Sequence, residues 1–416
     1  MLLIYTLMTI FSVATSIIEY KTAANAYIIP YAMVPMFVSV FLDRRTAFIV
    51  HVATLLLCTL SVHAPFEFML VQMLAGVVAI FSIKVLDSRS QVFRAGLFIT
   101  LAAALFMLSF DLSQGITPDK LDPTWYVCLA ISGILLLFAY PVMYVFEKVF
   151  GFTSSVTLIE LSNVNTPLLR QLSKMAQGTF NHSMQVANLA TEVVAKIGGK
   201  VELVRTGALY HDIGKIKNPA FFTENQSGVN PHDSLSEEQS AQVIIDHVKD
   251  GLELADKYHL PVEIKRLIAT HHGRSKTKYF YVKYINNHPG ETVNEALFTY
   301  PGPNPTTREQ AVLMMADSVE AASRSLKEIN EETLHDLVTK IIDGQTADGL
   351  FRNCPLTFRD LEEAKEQFTA SLMVMYHTRI SYPELNNSPQ PDGRNNSLFG
   401  GYRAWTEKFR EKKISR

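Results

Sequence analysis

The first third of the chain leaves its backbone few options. Six apolar stretches follow one another at Leu2–Ile18, Ala26–Leu42, Thr46–Val62, Phe68–Ile83, Ala95–Phe110 and Trp125–Phe146. Five of them are 16 or 17 residues long, at the short end for a bilayer span, and the last is 22. Residues 1–150 carry 16 charged side chains, gathered between these stretches, against 62 in the remaining 266 residues. A soluble core can bury one such helix, but six in tandem predict a transmembrane bundle of about six spans over residues 1–148. Pro30 and Pro35 should kink the second stretch. His51, inside the third, is expected to be a satisfied imidazole facing a neighbouring helix.

Basic residues set the expected orientation. Alternate connections carry Arg44, Arg45, Lys84, Arg89, Arg94 and Lys148, whereas the opposite connections carry only Lys21 and Lys120. The first set, and with it everything beyond residue 148, is therefore expected on the cytoplasmic side. The net charge of −2 averages two unlike regions and says nothing about nucleic acid. Cys58, Cys128 and Cys354 have no ligand spacing, which argues against a zinc ribbon or a disulfide framework.

Residues 149–178 read as a helical connector, with apolar residues at helical spacing and Pro167 as a break. Residues 179–384 then read as helix after helix with no alternating strand, so the fold class is all-α: a polytopic helical bundle followed by an α-helical domain. Expected helices lie near 182–197, 201–213, 236–257, 261–272, 308–327, 331–343 and 358–377. Residues 385–416 open with Asn-Ser-Pro-Gln-Pro-Asp-Gly after Asn386 and are expected to be a polar, disordered tail.

Ala208-Leu209-Tyr210-His211-Asp212-Ile213-Gly214-Lys215 delivers a His-Asp pair from an apolar run, and a Gly ends the regular backbone. Neighbours on a helix are about 100° apart, so both polar side chains can reach one centre while Leu209 and Ile213 face the core. His182, His247, His271, His272 and Asp317 sit in other predicted helices. The set of five imidazoles and two carboxylates suits two divalent metals sharing a bridging carboxylate. Its nitrogen and oxygen donors favour Mn, Fe, Zn or Ni over Mg or Ca. Lys215, one turn beyond Asp212, is placed to meet a phosphate oxygen, although an exposed Lys after a helix-ending Gly needs no role. His232-Asp233 reads instead as a loop beside a helix N-cap, with Asp233 or Ser234 capping toward Glu237.

From Gly273 to Thr307 the chain interleaves Arg274, Lys276, Lys278 and Lys283 with Tyr279, Phe280, Tyr281, Tyr284, Phe298 and Tyr300. Aromatic faces can stack purines while cations meet phosphates, so this segment is expected to form a substrate-binding flap.

These motifs together resemble a known family. His182, His211-Asp212-Ile213-Gly214-Lys215, His247, His271-His272 and Asp317 match the HD-domain metal-dependent phosphohydrolases in order and spacing. Glu160-Leu161-Ser162-Asn163, Thr166-Pro167-Leu168-Leu169, Gly178-Thr179-Phe180-Asn181-His182-Ser183, Tyr300-Pro301-Gly302-Pro303 and Ala316-Asp317-Ser318-Val319-Glu320-Ala321-Ala322-Ser323-Arg324 look like its seven-transmembrane HD branch, which includes membrane-bound bacterial cyclic-di-AMP phosphodiesterases. The resemblance implies a dinuclear site of manganese or iron. His182, His211, Asp212 and Asp317 would hold one ion and Asp212, His247, His271 and His272 the other. It further implies that Asp212 and Lys215 are catalytic, that Lys215 and Arg324 lie near the substrate, and that cyclic di-AMP is hydrolysed to 5′-pApA. The Gly-Tyr-Pro signature of the related cyclic-di-GMP hydrolases is absent after His272, where Gly273-Arg274-Ser275 follows. Members of the seven-transmembrane branch commonly begin with a membrane helix and an extracytoplasmic sensor domain before seven spans; no such domain is seen here, so sensing by it is not carried over.

The expected partners are cyclic di-AMP and a lipid bilayer, with no nucleic-acid polymer, and a homo-oligomer is left open. The expected location is the inner membrane, multi-pass, with the HD domain in the cytoplasm. The alternatives are an HD-type receptor, or a phosphohydrolase acting on cyclic di-GMP or a mononucleotide.

Overall fold

The computed structural model describes residues 1–82, 89–290 and 292–376, with only the backbone at residue 89. Residues Met1–Met375 form one compact unit, and Tyr376–Arg416 a second, of which only Tyr376 is described. The expected polar tail over 385–416 and the Lys84 of the basic set lie outside the described residues. Among the described residues there is no strand beyond an isolated bridge between Lys276 and Thr299, so the chain is all-α.

Among the described residues, seven helices fill the N-terminal region: α1 (Leu2–Lys21), α2 (Met33–Phe41), α3 (Arg44–Thr59), α4 (Pro65–Ser82), α5 (Arg89–Ser113), α6 (Pro123–Leu136) and α7 (Ala139–Phe150). Three of them, α1, α4 and Ser90–Ser113 of α5, are long and apolar enough to cross a bilayer; the pair α6 and α7, bent by 53°, makes a fourth if it counts as one span. Among the described residues, length and composition thus give three such helices, or four with the bent pair, beside the six apolar stretches of the sequence. In the second stretch, Ala26–Ile28 forms a 3-10 turn and Pro30 cannot continue it, so helix resumes only at Met33. In the third, the Asp43 cap starts α3 at Arg44, and the 16-residue helix spends its first turn on two arginines.

The packing runs as expected for a bundle in lipid. Leu2, Tyr5, Ile10, Val13 and Ile17 on α1, and Phe93, Leu97, Phe98, Leu101 and Leu105 on α5, all lie exposed. The short α2 is buried on every side, from Met33 to Val38 and again at Phe41. His51 on α3 is buried, and its Nε2 lies 2.9 Å from the Gln72 carbonyl of α4. Gly76, one turn on, makes that approach feasible, since a Cβ there would meet the imidazole at 2.1 Å.

Two connector helices follow, α8 (Ser155–Leu161) and α9 (Pro167–Met175), the latter opening with Pro167 at its first position. The remaining helices are α10 (Gln177–Ile197), α11 (Val201–Tyr210), α12 (Glu237–Lys257), α13 (Val262–Thr270), α14 (Lys278–Asn287), α15 (Arg308–Ser323), α16 (Glu331–Ala347) and α17 (Phe358–Met375). Seven of these eight fall where the hydrophobic spacing predicts helix. The addition is α14, inside the expected flap. At the start of α12 the cap is Ser236, reciprocated by Gln239 in a capping box. Asp233 and Ser234, expected to cap, instead sit in a 3-10 turn, and His232 is buried with its Nε2 at 2.9 Å from the Phe221 carbonyl.

Candidate metal centre

Helix α11 ends at Tyr210, His211 is its C-cap, and the chain tightens into a 3-10 turn over Ile213–Ile216. That turn must lie flat against α12. A Cβ on Gly214 would fall 1.8 Å from the His247 carbonyl and 2.5 Å from the Gly251 nitrogen. Glycine at 214 is thus what lets His211 and Asp212 stand beside His247. Gly214→Ala is expected to cost about 1–3 kcal/mol through this overpacking and to lower the metal content of the purified chain. Unchanged thermal stability and metal content would refute the close-packing argument.

All seven expected ligands converge, and six of them are buried. They fall into two groups whose donor atoms lie within 4.8 Å of one another: His182, His211, Asp212 and Asp317, and His247, His271 and His272. Asp212 faces both. Its Oδ2 is 3.2 Å from His211 Nε2 and 3.7 Å from His182 Nε2, while its Oδ1 is 3.3 Å from His247 Nε2 and 3.7 Å from His271 Nε2. His182 Nε2 lies 2.9 Å from Asp317 Oδ1, and His272 Nδ1 lies 3.6 Å from Asp317 Oδ2.

The far side of most imidazoles is tied down. The Nδ1–H groups of His211, His247 and His271 donate to the carbonyls of Ala208, Ile244 and Ile268, each three residues earlier, at 2.7, 2.5 and 2.7 Å. His182 Nδ1 donates to Glu320 Oε2 at 2.5 Å. These bonds select the tautomer that turns Nε2 inward, the arrangement metal-ligating histidines use. His211 Nε2 and both Asp212 oxygens are buried with no hydrogen bond of acceptable angle, although the Lys215 ammonium stands 2.6 Å from Oδ2. Orphaned buried polar atoms need a partner. With nitrogen and oxygen donors in two groups around one shared carboxylate, the residues present fit two divalent ions.

Electrostatics differ among the rings: burial pushes His211 down, but Asp212 and Asp317 outweigh it and raise it to about 10, whereas burial lowers His271 and His272. Burial pushes His272 down to about 3, with His247 adding to the effect and Asp317 opposing it, so the ring is neutral near pH 7, the form a metal requires. Burial opposes the charge on Asp212, but His211 and Lys215 outweigh it and hold the carboxyl well below its usual range. For Lys215, burial pushes downward, and Asp212 and Glu224 more than offset it, so the ammonium is held above its ordinary value.

Other expected site residues divide. Tyr300 is at the centre, buried and stacked on His272 at 4.3 Å between ring centroids. Arg324 pairs with Glu320 and lines the same cavity as His182 and Asp317, about 630 Å³ in volume. A second cavity of about 740 Å³ shares His272, Tyr300 and Glu224 with it and is lined by Tyr279, Lys276, Lys278 and Lys283. Tyr281 and Tyr284 stand apart: both pack on Phe298 inside the flap, 5.7 and 5.4 Å between ring centroids, and neither lines these cavities. Arg274 stands apart too; its side chain lies against Gly302, outside both. Sequence reading missed Glu320 and Glu224. Glu320 is three residues beyond Asp317 on one helix face, a signal open to reading; Glu224 reaches Lys215 at 3.0 Å from a distant 3-10 turn and gives none.

Residues 1–154 match the family model described as 7TM receptor with intracellular HD hydrolase, and residues 179–322 match that of the HD domain. The chain is similar to the 7TM-HD family in both regions. It is 35% identical over 374 residues to the cyclic-di-AMP phosphodiesterase PgpH of Listeria monocytogenes, covering 88% of this chain and 52% of the relative. To PgpH of Bacillus subtilis it is 34% identical over 370 residues, 86% of this chain and 51% of the relative. The chain thus spans about half the length of the curated relatives it matches. The solved HD domain of L. monocytogenes PgpH in complex with cyclic-di-AMP is 42% identical, with a TM-score of 0.49, and covers 52% of this chain and 100% of that one.

Proposed function

We propose that this membrane protein is a phosphodiesterase that depends on two divalent ions, manganese or iron, and hydrolyses cyclic di-AMP to 5′-pApA on the cytoplasmic side of a bacterial inner membrane. The observation that carries the proposal is Asp212, whose two oxygens face separate groups of ligands. PgpH relatives named as cyclic-di-AMP phosphodiesterases support the substrate, and the basic residues Arg44, Arg45, Arg94 and Lys148 support the orientation.

His182, His211, Asp212 and Asp317 would hold one ion, and His247, His271 and His272, with Asp212 shared, the other. Bound there, the pair would supply an activated water and charge stabilisation for attack on phosphorus. The residues do the rest. Lys215, between Asp212 and Glu224, presents a fixed positive charge to the phosphate. Glu320 holds the His182 ring and anchors Arg324 at the cavity edge. The adjoining larger cavity, with Tyr279, Lys276, Lys278 and Lys283 in its wall, takes a base and the second phosphate. Water adds to phosphorus, the P–O3′ bond breaks, and the 3′ oxygen leaves with a proton, which gives the linear dinucleotide.

The test is a substrate panel on the full chain in nanodiscs loaded with Mn²⁺. Formation of 5′-pApA from cyclic di-AMP is expected, and turnover of cyclic di-GMP or a mononucleotide instead would overturn the substrate. Within the panel, Tyr279→Ala should raise KM about 5- to 100-fold, the worth of one stacked base. Tyr281→Ala and Tyr284→Ala should lower the thermal stability of the flap. A Tyr279 variant with unchanged KM would remove the flap from substrate binding.

A further inference from the structure

The two helices that end in the central ligands are held by the same short connector. Helix α11 runs into His211 and Asp212, and α13 into His271 and His272. The two touch closely at Gly207, where a Cβ would meet the Leu267 side chain at 2.2 Å. At the exit from the membrane helices, the buried Glu147 of α7 accepts from the Ser154 nitrogen at 2.6 Å and from Thr157 Oγ1 at 2.9 Å, which fastens α7 to the start of α8. Thr153 Oγ1 donates to Glu263 in the first turn of α13 at 2.5 Å. At the other end of α8, Thr206 Oγ1 donates to the Leu158 carbonyl at 2.9 Å, and the Tyr210 hydroxyl donates to the Leu161 carbonyl at 2.9 Å. Both carbonyls belong to the last turn of α8, where that of Leu158 also accepts from the Ser162 nitrogen at 2.9 Å and that of Leu161 closes the helix. Tyr210 also shares a 3.0 Å hydrogen bond with Thr166, just before α9.

We infer that Tyr210 is a positioning residue through which the connector sets the separation of the two ligand groups, resting on the dinuclear reading above. It is 1% exposed, stands next in sequence to His211-Asp212, and contacts the connector with its hydroxyl. A ring in that place serves packing alone. The hydroxyl adds nothing to an apolar core and spends both its bonds on residues 161 and 166. It therefore fixes where the end of α11 stands relative to the chain that leaves the membrane. Glu263 does the same at the far end of α13, so a shift of α7 and α8 would act on both ligand-bearing helices together. Small displacements of reacting groups carry large kinetic penalties.

The test compares wild type with Tyr210→Phe, which keeps the ring and deletes the hydroxyl, as full chains in nanodiscs loaded with Mn²⁺. Expected are a kcat about 10- to 100-fold lower with KM within about twofold, undiminished Mn²⁺ content, and an altered Mn–Mn exchange signal in electron paramagnetic resonance. Unchanged kcat and exchange signal would overturn the inference. So would a loss of activity that only follows the folded fraction while the exchange signal stays that of wild type. Should Tyr210→Phe not assemble, Thr206→Val carries the same expectation, because it removes the neighbouring bond to Leu158 and leaves Tyr210 intact. If wild type holds coupled Mn²⁺ but leaves cyclic di-AMP untouched, the substrate reading has failed, and the exchange signal alone decides the role of Tyr210.

Discussion

Asp212→Ala is expected to abolish turnover of cyclic di-AMP, with a loss on the order of 10³-fold or more. Every distance at the centre makes this carboxylate the piece that cannot be spared. Its Oδ2 serves the group of His182 and His211, its Oδ1 the group of His247 and His271, and Lys215 leans on it at 2.6 Å. Removal takes a donor from both groups and leaves a buried ammonium facing Glu224 alone. Metal content should fall together with activity, measured by elemental analysis of the purified full chain. A variant that keeps two ions per chain and more than a tenth of wild-type kcat would mean that the bridging assignment is wrong, whatever the substrate.

Lys215→Met is the second large effect, and its signature is different. The ammonium is nearly enclosed, 4.8 Å from the centre of the Phe222 ring and between two carboxylates. Methionine keeps most of the stem and the packing but removes the charge. Loss of one preorganised group that stabilises developing charge typically costs about 10²–10³ in kcat, roughly 3–4 kcal/mol. Metal content should hold, since Lys215 is no ligand. A kcat within about threefold of wild type, well short of that magnitude, would reduce Lys215 to a counter-ion that keeps Asp212 and Glu224 apart.

The His/Asp cluster was open to reading because each member is an uncommon polar residue at a place where helical periodicity calls for a core position. His182, His247 and Asp317 sit mid-helix on buried faces, and His211, His271 and His272 follow directly on helix ends. Aromatic residues carry no such mark. Tyr279, Tyr281 and Tyr284 look alike in sequence, and only the turn of α14 separates the exposed first from the two that pack on Phe298. Apolar stretches and long helices differ for a related reason: hydropathy records how apolar a stretch is, and α2, nine residues long, is apolar and enclosed by its neighbours. Tyr210 reads as one more core residue in Ala-Leu-Tyr, since a hydroxyl's partner 49 residues away leaves no trace in local spacing.

The i−3 carbonyl bonds under His211, His247 and His271 bear on how the centre fills and empties. Each ring is oriented by a carbonyl of the helix that carries it, a bond that does not itself depend on an ion, in contrast with small domains that fold only around their metal. On the proposed function, ions would leave and return without the helices coming apart, and turnover would follow the supply of free metal on the timescale of ion exchange, not of protein synthesis.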